Sequence, residues 1–207
     1  RAQYYKNLYD PSTKFFRGKR NGCFVTPFDP TQVNFMLTEA NSWQYGFFTP
    51  QDINTHIEMM GGMKAYDRKL NELFNSSSEL TGRVQSDITG LIGQYAHGNE
   101  PSHHMAYLYN YLGKPSKTQR LVNKIMYELY TDQPDGLCGN EDCGQMSAWF
   151  VMSVLGFYPV CPGDNQYVFG SPMFDKATRH LENGKDIVIV AKNQSNNNKY
   201  IKSVKLN

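Results

Sequence analysis

Three things are scarce in this chain of 207 residues, and each scarcity excludes a class of function. An excess of one charge is missing: 21 lysines and arginines stand against 19 aspartates and glutamates, a net charge of +2. Nucleic-acid binding draws its affinity from a concentrated cationic face, so nucleic acid is excluded as a partner. Long apolar runs are missing as well. None approaches the roughly 20 residues of a membrane-spanning helix, and the opening Arg1-Ala2-Gln3-Tyr4-Tyr5 lacks the pattern of a secretion signal. Cysteine is sparse, and Cys23, Cys138, Cys143 and Cys161 do not have zinc-ribbon spacing. Cys138 and Cys143 either bridge the acidic turn between them in an oxidising compartment or stay free as small core residues.

Apolar and aromatic residues are plentiful. The chain is 40% hydrophobic, enough for a sizeable core, and 14% aromatic with 14 tyrosines. Residues 1–9 read as the last turns of a helix closed by Asp10-Pro11. The glycine- and proline-marked stretch 15–30 reads as a long loop, of a length that lines or covers a site. Short helices follow over 41–48 and from Pro50 toward Met60, the latter with Asp52 as its cap. A helix over 63–74, a polar loop, and helices over 101–112 and 117–130 come next. Residues 145–155 are apolar nearly all round, which predicts a central helix. After Gly163 the pattern changes to short β-branched runs at 167–169, 177–181, 186–191 and 200–205, with Asn183-Gly184 as a hairpin turn.

Three polar segments interrupt this array. Gly139-Asn140-Glu141-Asp142-Cys143-Gly144-Gln145 sets carboxylates and carboxamides at the mouth of the 145–155 helix, where Asn140 and Asp142 can cap it. Thr38-Glu39-Ala40-Asn41-Ser42-Trp43-Gln44-Tyr45 places a carboxylate among amides and aromatics, and His97-Gly98-Asn99-Glu100-Pro101-Ser102-His103-His104 repeats the mixture. Carboxyls for proton transfer, amides for hydroxyls and aromatic faces for pyranose rings make up a sugar site. Each segment also has a plainer reading, Asp142 as a cap and Glu39 as an exposed helix-entry residue. His97, Glu100, His103 and His104 invite a zinc reading, but the metallopeptidase spacing is absent and Pro101 splits the run.

In this order, these segments resemble the C-terminal part of glycoside hydrolase family 92, the calcium-dependent exo-acting α-mannosidases. The likeness covers most of residues 1–205 and is strongest over 38–52, 97–104, 135–149 and 156–163. It implies a mainly α fold: residues 1–163 would be the C-terminal half of an (α/α)6 toroid, or barrel, and 164–207 the start of a small β-sheet. Family members are longer, so the N-terminal remainder of the same protein is an expected partner, without which the segment is expected to be inactive. A periplasmic or secreted location follows from the same likeness.

The chemistry implied is hydrolysis with inversion, releasing mannose from α-linked, α-1,2-preferring glycans. Such a reaction needs two carboxyls roughly 6.5 to 9.5 Å apart, one to protonate the leaving oxygen and one to activate water. Glu39, beside Trp43 and Tyr45 in surroundings that would raise its pKa, matches the acid. Asp142 matches the base, flanked by Asn140 and Glu141. Some relatives carry aspartate where this chain has Asn140, which leaves Asp142 to act alone or with Glu141. Trp43, Gln44, His97, Asn99, Glu100, Asn140 and Glu141 are the expected sugar contacts, and Glu100 with a histidine goes with α-1,2 preference. Ca²⁺ would take about 6 to 8 oxygens; Asn99 and Asp142 are its expected ligands, with Gln44, Glu100 and Asn140 also available. The alternative of a different class is a non-catalytic carbohydrate-binding or structural helical module, which needs no carboxyl pair.

Overall fold

A computed structural model describes residues 1–207, with helix (33%) exceeding strand (15%). The chain divides into two compact units, Arg1–Met105 with Leu137–Asn140, and Ala106–Gly136 with Glu141–Asn207.

In the first unit, Tyr4–Leu8 forms 3-10 turns and Tyr9–Asp10 pairs antiparallel with Phe15–Phe16. Asp10 closes that hairpin by accepting hydrogen bonds from Ser12, Thr13 and the buried guanidinium of Arg17. Burial alone would raise its pKa, but those donors hold the carboxyl well below the usual range. Three helices follow: α1 (Ser42–Tyr45), α2 (Ile53–Met59, entered through a 3-10 turn at Pro50–Asp52) and α3 (Met63–Asn75). α1 is a single turn fixed by a capping box. The Asn41 side chain accepts from the Trp43 and Gln44 backbone N–H groups while the Gln44 carboxamide accepts from Asn41 N. Asp52 occupies the cap position of α2, yet its carboxylate is drawn to the N-terminal segment, accepting from Gln3 Nε2 and Tyr5 Oη. α3 buries Ala65, Tyr66, Leu70, Leu73 and Phe74, a stripe of helical period, against Phe47, His56 and Tyr95. Gln94 ties the centre together, accepting from Asn41 Nδ2 and donating to the carbonyls of Ser77 and Glu79.

The second unit holds α4 (Pro115–Glu128) and α5 (Gln145–Leu155). Proline opens α4 where no N–H is required, and Gly156 ends α5 at φ 92°, its N–H reaching the Met152 and Ser153 carbonyls. Tyr107 stacks on Tyr158 at 4.7 Å and its hydroxyl meets Ser153 Oγ at 2.7 Å; Tyr130 lies parallel to Trp149. Lys176–His180 and Asp186–Val190 form the hairpin expected around Asn183-Gly184.

Three expectations are corrected, and one open alternative is decided. Residues 101–112 form 3-10 turns, Glu100–Ser102 and Met105–Leu112, because Met105 through Tyr109 are all buried and no one-sided stripe selects an α-helical period. α5 is not buried all round. It packs through Met146, Trp149, Ser153 and Val154, while Val151 is 52% exposed. The strand expected at 200–205 does not form; a strand needs a ladder partner, and Ile201 N donates instead to the Gln119 carboxamide. All four cysteines are free, so no bridge closes the 138–143 turn.

Candidate active site

The first unit gathers one group of candidate residues around Glu39. Its carboxyl, half-buried, accepts a hydrogen bond from Tyr45 Oη at 3.1 Å, and its backbone carbonyl accepts from Asn99 Nδ2 at 3.4 Å. Burial, then the charge and hydrogen bond of Glu39 and the charge of Glu100, push the Tyr45 phenol up to about 12. The phenol therefore stays protonated and works as a donor. Glu39, Tyr45, Asn99 and Glu100 thus form one acid, amide and phenol cluster.

The segment behind it is held by its histidines. His97 Nδ1 meets Tyr95 Oη at 2.7 Å, His103 Nε2 meets the His97 carbonyl at 2.8 Å, and His104 Nε2 meets the Phe47 carbonyl at 2.7 Å. Burial drives His97 well below its ordinary pKa and His104 to about 4, so both are neutral. Two glycines bring a second chain segment alongside. A Cβ on Gly139 would stand 2.5 Å from Gly98 Cα, so only glycine permits this backbone contact. Cys138 seats on Gly90 in the same place, where burial raises its thiol pKa.

Trp43 and Gln44 are corrected from sugar contacts to packing residues. The indole is 4% exposed, edge-on to Phe15 at 4.7 Å and covered by Lys69 Nζ at 4.1 Å, so it offers no face to a pyranose. Gln44, 1% exposed, spends its carboxamide on Asn41 N and the Gln94 carbonyl. Their alternation with polar residues looks like a sugar platform in sequence; the capping box Asn41-x-x-Gln44 was the signal for the structural role.

Asn140 and Asp142 do not cap α5. Asn140 Nδ2 donates to Asp87 Oδ1 at 3.1 Å. Asp142, Cys143 and Gly144 take φ of 48°, 57° and 98°, a left-handed run that leaves Gly144 at the cap position without a capping side chain. Glu141 supplies the contact instead, accepting from Ser147 N at 2.9 Å and Ser147 Oγ at 2.7 Å. Those bonds lower its pKa and keep it ionised. Asp142 is exposed on this turn.

As to a metal, no three His, Cys, Asp or Glu side chains converge to hold one. The donors near Glu39 are oxygens, and because the Asn99 amide nitrogen is engaged, its carbonyl oxygen is the atom available for ligation. Such a set fits a hard cation that completes its shell with water, backbone or substrate oxygens.

The chain matches the glycosyl hydrolase family 92 catalytic domain over residues 1–207. Among solved structures it is similar to the family GH92 α-mannosidase BT3965 from Bacteroides thetaiotaomicron, with 42% identity and a TM-score of 0.82 over 92% of this chain and 25% of that one. It is similar also to the family GH92 inverting mannosidase BT2199 of that bacterium, with 37% identity and a TM-score of 0.79 over 93% of this chain and 27% of that one. An uncharacterized secreted glycosidase of Arthroderma benhamiae is 28% identical over 152 residues, 73% of this chain and 18% of that protein. The chain thus spans about a quarter of the solved relatives and less of the curated one.

Proposed function

The chain belongs to glycoside hydrolase family 92, and we propose that it supplies catalytic residues to an exo-acting α-mannosidase that inverts configuration and prefers α-1,2 bonds. The observation that carries this reading is the Glu39 carboxyl held by the Tyr45 phenol. With one oxygen occupied by that donor, the other is left to carry a proton to the glycosidic oxygen. Asp142 is the base that activates water, and Asn99 and Glu100 orient mannose hydroxyls, while His97, expected as a sugar contact, is as buried as Trp43 and holds the segment through Tyr95. The two solved relatives, mannosidases in both cases and inverting in one, support the same reaction class.

Calcium belongs to this reading as well, with Asn99 and Asp142 as oxygen ligands. When bound it would supply Lewis-acid polarisation and a template for sugar hydroxyls. We further place residues 1–163 in an (α/α)6 barrel and 164–207 in a following β segment, both acting with the rest of a longer catalytic domain. A secreted or periplasmic location accords with the secreted relative, and no helix is long and apolar enough to cross a membrane.

The test is made on the complete enzyme, this chain together with the N-terminal remainder. Asp142→Asn should lower turnover at least about 10³-fold while mannoside binding persists, because an amide keeps the shape but takes no proton. Glu39→Gln should be severe on mannose disaccharides and mild on aryl mannosides with good leaving groups. EGTA should remove activity and added Ca²⁺ restore it. Undiminished turnover in Asp142→Asn, or equal Glu39→Gln losses on both substrates, would overturn the assignment.

A further inference from the structure

Arg83 grips both ends of the loop that leads to Glu39. Its backbone N–H donates to the Val33 carbonyl at 2.9 Å and its Nη2 to the Thr38 carbonyl at 2.8 Å. Between those anchors, Asn34 Oδ1 accepts from Met36 N, and the 90% exposed Phe35 ring lies 5.0 Å from the guanidinium carbon. The other side of the guanidinium begins a chain of side chains. Nη1 donates to Gln85 Oε1 at 2.7 Å, Gln85 Nε2 donates to Asp87 Oδ2 at 2.5 Å, and Asp87 Oδ1 accepts from Asn140 Nδ2 at 3.1 Å.

The polarity of this chain is consistent at every link. Arg83 gives to two acceptors, and Asp87 receives one donor on each oxygen, so no link can reverse. Four hydrogen bonds thereby join the peptide neighbour of Glu39 to Asn140, two residues before Asp142 in sequence. Arg83 Nε is buried without a partner.

We propose that Arg83, Gln85 and Asp87 are positioning residues for the hydrolytic reaction: they hold the Thr38–Glu39 peptide and Asn140 in register, fixing Glu39 and the start of the turn that leads to Asp142. The proposal rests on Glu39 as acid and Asp142 as base. Displacement of a catalytic group by about 1 Å costs about 10²-fold in rate, which is the effect the network prevents.

Three single variants and one double variant of the complete enzyme test this. Arg83→Lys keeps the charge but offers one ammonium where two acceptors and an aromatic face need a planar fork. It should lower kcat about 10²-fold on an α-linked mannose disaccharide, with KM within about threefold and the melting temperature unchanged. On an aryl mannoside with a good leaving group the loss should be about tenfold or less, because the acid matters less there. Asp87→Asn, which also releases Asn140, should slow both substrates. Gln85→Met, severing the middle link without a charge change, should reproduce the Arg83→Lys pattern, and the Arg83→Lys/Asp87→Asn double variant should lose less than the product of the single losses. Unchanged kcat in all three, or equal losses on both substrates with a lowered melting temperature in Arg83→Lys, would overturn the network. A wild type that releases no mannose overturns the mannosidase reading and this one with it; an active wild type with indifferent variants overturns only the network.

Discussion

The His97–His104 segment and the Asn140–Gly144 turn carry most of the candidate chemistry, and they are held by opposite means. The first is buried: each of three imidazoles is bound to a carbonyl or a phenol, and no positive φ occurs between residues 97 and 104. The second is largely exposed, runs left-handed through Asp142, Cys143 and Gly144, and is fixed by Asn140 to Asp87 and by Glu141 to Ser147. The sugar-binding role proposed for the first segment would gain from rigidity that packing provides. A residue that must meet water, as a base does, has to remain exposed, so its geometry has to come from the backbone.

The largest effect should come from titrating the buried rings. His56 and His104 both fall from 6.5 to about 4, in each case with burial as the first cause. His56 is further opposed by the charge of His104, while in His104 the Phe47 carbonyl works the other way. Because the folded values are depressed, the contribution is fully present above about pH 6.5 and is lost as pH falls toward 4, when the unfolded chain binds protons that the folded one refuses. At about 1.4 kcal/mol per unit, each ring costs about 3 kcal/mol across that window. Asp10 acts lower, since its depressed carboxyl loses its contribution only below its ordinary 3.8. Denaturant midpoints of the full chain at pH 7, 6 and 5 should therefore fall steadily, and a flat profile would mean that these imidazoles are solvated.

Next in size is His104→Ala. It removes a 5% exposed ring that packs edge-on against Phe48 at 5.6 Å and leaves the Phe47 carbonyl without that donor. The expected cost is about 3 to 5 kcal/mol, with a shallower pH dependence than the wild type because one titrating ring is gone. A loss below about 1 kcal/mol, or an unchanged pH slope, would show that the segment is held by its 3-10 turns rather than by its histidines.

Much of the fold could be read from residue order because local signals and tertiary packing agreed. Gly144 and Gly156 bound α5, the stripe from Ala65 to Phe74 marks α3, and Asn183-Gly184 turns a hairpin. The 3-10 character of Met105–Leu112 could not be read, since apolar residues at nearly every position fit several periods. In the candidate site, Glu39, Asn99 and Glu100 stand in separate segments that the fold brings to Tyr45 and the Glu39 carbonyl, while Trp43 packs in the core, because composition does not tell which aromatic the core takes. Arg83 and Asp87 escaped notice for a different reason. Their partners Thr38 and Asn140 lie 45 and 53 residues away, and no short-range pattern records such a pairing.

The smallest expected effect concerns the left-handed turn. Cys143 takes φ 57° although it has a side chain, a conformation that costs an L-residue about 1 to 2 kcal/mol relative to the right-handed region. Glycine pays no such penalty but loses more chain entropy on folding, which offsets part of the gain. Cys143→Gly should thus stabilise the full chain by about 0.5 kcal/mol, and Cys143→Val, with a β-branched side chain, should destabilise it by more than that. Denaturant midpoints measured under reducing conditions decide between two sources of the geometry. If Glu141 and Ser147 impose the turn on whatever residue stands at 143, the glycine variant gains stability and keeps the turnover of the wild type, because Asp142 is still placed by its neighbours. If the glycine variant gains stability and loses turnover, the side chain at 143 is itself restricting the turn, and the exposed half of the comparison depends on a residue that its hydrogen bonds do not reveal.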